Sequence, residues 1–394
     1  MVETALAQDS KMRPLIIAAV GFLLLFETGV LLAGFPRSLA GNGDFSAFYR
    51  TAVMARSGEL HSLYDVTKQD LFDRQVFPSL DRYPPYYFYH PPYEVLWLLP
   101  FGFMSYETAF LLWTGLSFLL LLLSARILEV QFPELRRVTG IPFALPLLAF
   151  FPVTMILLQG QDSPILLLLL ALAFRRFDRK QDTACGVLLG LGLFKFQFII
   201  PLVAILALRR RAKLISAFLL TSAALLAVSW VLVGTFGLRL YWNLLSHHTP
   251  EMVWRMPNLR GLVESLGGSP TLTICLSVCL VAWCAQRVAR MEAGAFASAI
   301  VCAELVSYHG HIYDAVLFLI PVQWAINRAV IERKRIWTFW PALFFLMMPA
   351  YVLLTLYKTT WILALPFFLL AFMVGGAAEI APSRYLKPWG EALP

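Results

Sequence analysis

Residues 182–208 read DTACGVLLGLGLFKFQFIIPLVAILAL, an apolar run holding one lysine, Lys195. Basic clusters flank it, Arg175/Arg176/Arg179/Lys180 before and Arg209/Arg210/Arg211/Lys213 after. Basic residues of membrane proteins collect in cytoplasmic loops, so both clusters belong on one side. The run must therefore cross an even number of times, yet its length suits one crossing of roughly 20 residues and not two. This predicts a short or re-entrant hairpin bent around Gly190, Gly192 and Pro201. Such backbone is tolerated at membrane depth only where protein covers it or it lines a cavity. The turn, "FKFQ", sets Lys195 and Gln197 away from the cytoplasm.

The rest of the chain fits that setting. Of 394 residues, 59% are hydrophobic and 14% charged, against roughly a quarter charged in soluble domains. The net charge of +8 is explained by basic cytoplasmic loops rather than by a nucleic-acid partner. The first apolar run, Pro14 to Gly34, is too long for a cleavable signal core. The five cysteines all fall in apolar stretches and read as small buried hydrophobes. Helices are expected at 13–34, 106–128, 138–158, 162–177, 212–234, 270–290, 294–308, 313–327, 336–357 and 359–377. With the hairpin, the fold class is an all-α polytopic membrane protein of about 12 crossings. It forms one integral-membrane domain, with both termini and the tail 378–394 in the cytoplasm.

The opposite face then holds loops 35–105 and 235–269. The first reads as amphipathic helices at 45–57 and 66–76 and a juxtamembrane helix at 91–104, with an aromatic, proline-rich stretch at 81–93. Most unusual polar residues gather on this face, although only the basic clusters drew the path. No internal repeat is visible, so the inverted-repeat signature of many transporters is absent.

Five motifs carry candidate chemistry. In "GNGDFSAFYRTA", 41–52, Asp44 either caps the next helix or serves as a general base toward an acceptor hydroxyl; Tyr49 follows it. Lys195 either snorkels to the interface or holds a phosphate as a compact cation, with Gln197 adding a donor. "LLQGQDSP", 157–164, places Gln161 and Asp162 at a turn, as site residues or as a plain capped turn. "SYHGHIYD", 307–314, offers His309, His311, Tyr313 and Asp314. Its His-x-His-x-x-Asp spacing suits a divalent metal less well than a phosphate or hydroxyl contact, since no further ligand set appears. Asp314 is a helix cap or a partner for Lys195. In "SHHTPEMVWRMPNLRG", 246–261, Arg260 binds lipid phosphate or belongs to a wet interfacial segment. His90 lies on the same face. There is no P-loop, no dinucleotide glycine fingerprint and no His-Glu-x-x-His.

These motifs, in this order, resemble glycosyltransferase family 87, the polyprenyl-phosphate-mannose-type membrane transferases of GT-C fold. "DFSAFYRTA", "GELHSLYD" and "YHPPYEVLWLLP" resemble the family's first outer loop. "GQDSPILLLLLALA" and "GVLLGLGLFKFQFIIPLVAILALRRR" resemble its Gly-Gln turn and Lys-Pro-Gln hairpin, with Phe196 in place of the usual Pro and Asp162 where Asn is common. "SYHGHIYDAVLFLIP" resembles its late Tyr-Asp helix start. The likeness covers roughly residues 14–335. It implies a polyprenyl-phosphate-sugar donor carrying mannose or another sugar, a lipid or glycan acceptor, and inversion on the extracytoplasmic face of a bacterial inner membrane. By that likeness Asp44 is the base, Lys195 and Gln197 lie near the donor phosphate, and Tyr313 and Asp314 line the site. A phosphate leaving group needs no protonation, so one carboxylate is adequate and no divalent metal or other cofactor is expected. The main rival is a transporter or lipid-linked-sugar flippase, which would spread polar residues through mid-membrane and both faces.

Overall fold

A computed structural model of the chain describes residues 2–78, 80, 86–247, 252–331, 348–366 and 368. The described residues are helical and irregular, with no strand among them. In chain order the α-helices are α1 Val2–Leu39, α2 Phe45–Arg56, α3 Val66–Val76, α4 Val95–Leu98, α5 Tyr106–Gln131, α6 Glu134–Thr139, α7 Ala144–Leu148 and α8 Phe151–Gln159. Next come α9 Ser163–Asp178, α10 Asp182–Leu191, α11 Phe196–Ala207, α12 Ala212–His247, α13 Leu259–Ser265, α14 Pro270–Arg290, α15 Ala295–Val306, α16 Leu319–Ile331 and α17 Met348–Leu356.

Five segments are long and apolar enough to cross a membrane: Pro14–Leu39, Tyr106–Gln131, Asp182–Ala207, Ala212–His247 and Pro270–Arg290. Their outward residues are apolar too, among them Leu25, Leu32, Leu220 and Val231, each at least 69% exposed. Lipid is the solvent in which such a surface is stable. The chain is an all-helical membrane protein.

The segment 182–207 doubles back as its flanking charges require. Arg211, just past its end, ion-pairs with Asp182 at its start and donates to the Phe177 carbonyl at 3.1 Å. Arg209 donates to the Met291 and Val288 carbonyls at 2.6 and 2.8 Å. These contacts gather the ends of α9, α11 and α14 at one basic end of the bundle. The turn of the hairpin is a 3₁₀ segment, Gly192–Lys195. The sixteen residues of α9 cover about 24 Å; α10 plus the turn climb about 23 Å in the opposite sense. Lys195 is thus returned to the level of Asp162, which precedes α9.

The cap around α2 and α3 sits over this end and has an aromatic core of its own, including Phe45, Phe48, Tyr64, Phe88 and Trp113. Arg50 is fully buried in it, 2.8 Å from Asp73 and 2.8 Å from the Gln69 side-chain oxygen, and it also donates to the Tyr86 carbonyl at 2.5 Å. A buried guanidinium needs such acceptors, and both terminal nitrogens of Arg50 find them here. The expected juxtamembrane helix is present as a chain of short turns, Pro92–Glu94, Val95–Leu98 and Leu99–Phe103.

Two expected helices differ. The run 138–158 is α6, α7 and α8 rather than one helix. Gly140 takes a left-handed conformation at φ 70°, and Pro142, Pro146 and Pro152 interrupt the backbone ladder. The helix expected at 212–234 continues to His247 through a break at Gly234, φ 66° and ψ −179°. Only glycine adopts that conformation without strain. Beyond the break the helix folds onto the cap, where the Tyr241 hydroxyl donates to the Tyr89 carbonyl at 3.1 Å and its ring lies 4.6 Å from Tyr64. Of the helices expected at 336–357 and 359–377, only Met348–Leu356 and part of 359–368 are described. The tail 378–394 lies outside the described residues, as do 81–85 and His248.

Candidate active site

α8 ends at Gly160, left-handed at φ 66° and ψ 44°. A β-carbon there would stand 2.5 Å from the Phe45 β-carbon, so only glycine lets this turn seat against the start of α2. The Trp113 indole holds the turn by donating to the Gly160 carbonyl at 2.9 Å. This seating brings Gln161 to Asp44: the Gln161 amide donates to the Asp44 carboxylate. Asp44 does not cap α2; its side chain makes no capping bond.

Beside it, Lys195 Nζ lies 2.5 Å from Asp314, 3.1 Å from Asp162 and 3.0 Å from Ser163 Oγ. Lys195 is 4% exposed, Asp162 0% and Asp314 5%, so this triad is closed to solvent. The Lys195 ammonium also lies 5.4 Å from the Tyr313 ring centroid. Asp314 has two roles at once. One oxygen takes Lys195; the other accepts from the His311 backbone N–H at 3.0 Å, closing the start of the next helical segment. The His309 and His311 Nε2 atoms are 3.1 Å apart, and Gln197 donates to the His309 carbonyl at 3.4 Å.

On the other flank His90 Nδ1 lies 2.8 Å from Glu94 and 3.3 Å from Asp162, at ion-pair distance without hydrogen-bond alignment. The cap positions the imidazole: Phe48 meets it edge-on at 5.0 Å and Phe88 stacks at 5.5 Å. Glu304, buried in α15, brings a further carboxyl group that feels the charges of Asp314 and Lys195.

The electrostatics differ from group to group. Burial pushes the Asp44 carboxyl up to about 6, against the Gln161 hydrogen bond and the positive charges of His90, Lys195 and Arg255. Burial alone would raise Asp162 as well, but Lys195 and His90 outweigh it and hold Asp162 below its ordinary value. Burial would lower His90, yet Glu94 and Asp162 raise it, so its cationic form is favoured. Burial pushes Glu94 up to about 7. His309 is lowered to about 4 and His311 is lowered well below the usual imidazole range, both chiefly by burial. Near neutral pH these two are hydrogen-bonding imidazoles, not cations.

His90, Glu94 and Asp162 bring ligand atoms within 4.8 Å of one another, a set that could hold a divalent metal. The arrangement is also charge-matched without one, because Lys195 already faces Asp162 and His90 already faces both carboxylates. At "HGHIYD" both Asp314 oxygens are engaged, which disfavours a metal there.

Of the residues singled out from sequence, Asp44, His90, Gln161, Asp162, Lys195, Gln197, His309, His311, Tyr313 and Asp314 converge here. Arg260 lies at the rim, bound to Glu264 at 3.1 Å and to the Tyr308 carbonyl at 3.2 Å. Tyr49 does not join them. One helical step of 100° past Phe48 turns it away, and its hydroxyl donates to the Met104 carbonyl at 2.7 Å while its ring meets Tyr106. Sequence reasoning missed Glu94, Ser163 and Glu304. The i,i+4 spacing of His90 and Glu94 in "HPPYE" was a usable signal for the first.

Comparison with known families matches residues 88–308, more than half of the chain, to glycosyltransferase family 87. Neither a curated protein nor a solved structure matches the chain.

Proposed function

The chain belongs to glycosyltransferase family 87, and from that premise we propose that it transfers a sugar from a polyprenyl-phosphate carrier to an acceptor hydroxyl. In this reading Asp44 is the general base. The acceptor is a lipid or glycan of the cell envelope, transfer occurs on the extracytoplasmic face of a bacterial inner membrane, and the anomeric configuration inverts. The observation that carries the proposal is the state of Asp44. It is only part-buried, it is oriented by Gln161, and its carboxyl is raised to about 6. A base is most effective when its pKa lies near the working pH. Protonated from the acceptor side, Asp44 releases an alkoxide-like oxygen to attack the anomeric carbon from the face opposite the phosphate.

The neighbouring groups suit the rest of the reaction. Asp162, Lys195 and Asp314 form a rigid charged floor that keeps Asp44 in place relative to the hairpin turn. Gln197, Tyr313 and the neutral imidazoles of His309 and His311 offer hydrogen bonds for sugar hydroxyls and phosphate oxygens. Positioning and fixed dipoles of this kind carry most of the acceleration when the leaving group needs no acid. The test is a transfer assay with a panel of polyprenyl-phosphate sugars, products read by mass spectrometry. The reading requires a glycosylated product from the wild type and none from Asp44→Asn. Turnover by Asp44→Asn at the wild-type rate refutes it.

A further inference from the structure

The interior of the site is crowded with carboxylates. Among the described residues, Lys195 pairs with Asp162 and Asp314, His90 lies beside Glu94 and Asp162, and Asp44 has no cation at ion-pair distance. Lys195 is shared between two carboxylates, Arg260 is bound to Glu264, and His309 and His311 are neutral. A lipid phosphate arriving at this site therefore meets no uncommitted positive charge among the described residues around Asp44 and Lys195. An anion placed there needs a cation from outside.

Two such cations stand at the rim. Arg255 ends a short helical turn, Val253–Arg255, and its guanidinium lies 4.7 Å from the Trp254 ring centroid. Lys358, from the turn after α17, lies 5.7 Å from the same ring. Both are exposed, and neither has a carboxylate partner among the described residues. The segment is pinned to the histidine loop: the Asn258 amide donates to the Ser307 carbonyl at 2.8 Å. Arg255 thus belongs to a segment tied to the loop that carries His309 and His311. Its positive charge also acts on Asp44, His311 and Tyr313. A planar guanidinium held on an indole keeps its donors free for an oxyanion fork.

We infer that Arg255, propped on Trp254 with Lys358 beside it, receives the phosphate of the polyprenyl carrier beside the histidine loop. The assignment rests on the proposed sugar transfer only for the identity of the lipid. Arg255 neutralises charge on the phosphate oxygens as the glycosidic bond to them breaks. Lys195, already paired, orders the carboxylates behind.

The test measures binding of undecaprenyl phosphate, undecaprenol and phosphatidylglycerol to the full chain in detergent by native mass spectrometry. Arg255→Gln is expected to weaken undecaprenyl phosphate at least about tenfold, the scale of one lost charge-assisted contact. It should leave undecaprenol unchanged. Arg255→Lys should recover part of the loss, and Lys358→Gln should show a smaller one. Unchanged binding of undecaprenyl phosphate to Arg255→Gln, in a variant that elutes as the folded protein, overturns the inference. An equal loss for phosphatidylglycerol also overturns it, since the residue would then be a general headgroup anchor. The two readings fail separately. If wild type transfers no sugar from any donor yet the phosphate-selective loss is seen, the phosphate site stands and the transfer reading falls.

Discussion

The side-chain amide of Gln161 donates to the carboxylate of Asp44, a residue 117 positions earlier in the chain. That bond ties the cap helix α2 to the turn between α8 and α9, and through Asp162 to the hairpin lysine. Asp44 therefore does not move independently of Lys195. The relationship makes the role of Asp44 testable without unfolding the site, because the oxygen of an asparagine accepts the same bond. Asp44→Asn is expected to lose about 10²–10⁴-fold in turnover, the usual share of a general base. Its melting temperature at pH 7.5 should not fall, since a poorly solvated charge is removed and the Gln161 bond kept. A folded Asp44→Asn with turnover near wild type would exclude the assignment.

Lys195 supports a prediction about stability. Its ammonium lies between Asp162 and Asp314, all three closed to solvent. Removing one partner of a buried ion pair strands the other and costs about 3–5 kcal/mol. Lys195→Ala should therefore lower the melting temperature sharply in detergent. Lys195→Ala/Asp314→Asn should regain part of the loss, because one stranded charge is then gone. If the double variant melts no higher than the single one, the triad does not hold the hairpin tip.

How far all this could be read from residues varies with the kind of signal. The hairpin at 182–208 was legible because charge placement leaves no other path between two basic clusters. Asp44, Gln161, Lys195 and Asp314 were legible as polar groups beside apolar runs. Their mutual pairing was not: nothing in "FKFQ" says that Lys195 is shared by two carboxylates. Glu94 was hidden inside a stretch whose aromatics read as interfacial, and Tyr49 was misplaced because only the helix phase turns it from the site. The break at Gly234 depends on a positive φ that one glycine among many does not announce. The three prolines that split 138–158 were in view, but an unbroken apolar run outweighed them.

The metal question has a direct measurement. Around His90, Glu94 and Asp162, the Lys195 ammonium and the His90 ring, whose cationic form is favoured, already face the carboxylates. Transfer activity should therefore survive prolonged EDTA treatment and should not rise more than about twofold on adding Mg²⁺ or Mn²⁺, a change too small for a metal that stabilises transition-state charge by several kcal/mol. Complete loss on chelation, restored by one of these ions, would reassign the three residues as ligands.

The final prediction follows the proton on Asp44. Its carboxyl is raised to about 6, chiefly by burial. The base form is lost as pH falls through that value, so log(kcat/KM) should be level above about pH 7 and decline below about pH 6 with unit slope. Stability moves the other way. A carboxyl whose folded pKa lies above its unfolded value binds more protons when folded. The charged form therefore destabilises the protein progressively from about pH 4 to pH 6, and the full penalty stands above that window. Asp44→Asn should accordingly melt above wild type at pH 7.5 and level with it near pH 4, once the unrelated acid unfolding is matched. Gln161 supplies the second arm. Its hydrogen bond lowers the Asp44 pKa against burial, so Gln161→Leu should shift the acid limb of the rate profile to higher pH. A limb that stays in place in Gln161→Leu would mean that the titrating group in catalysis is not Asp44.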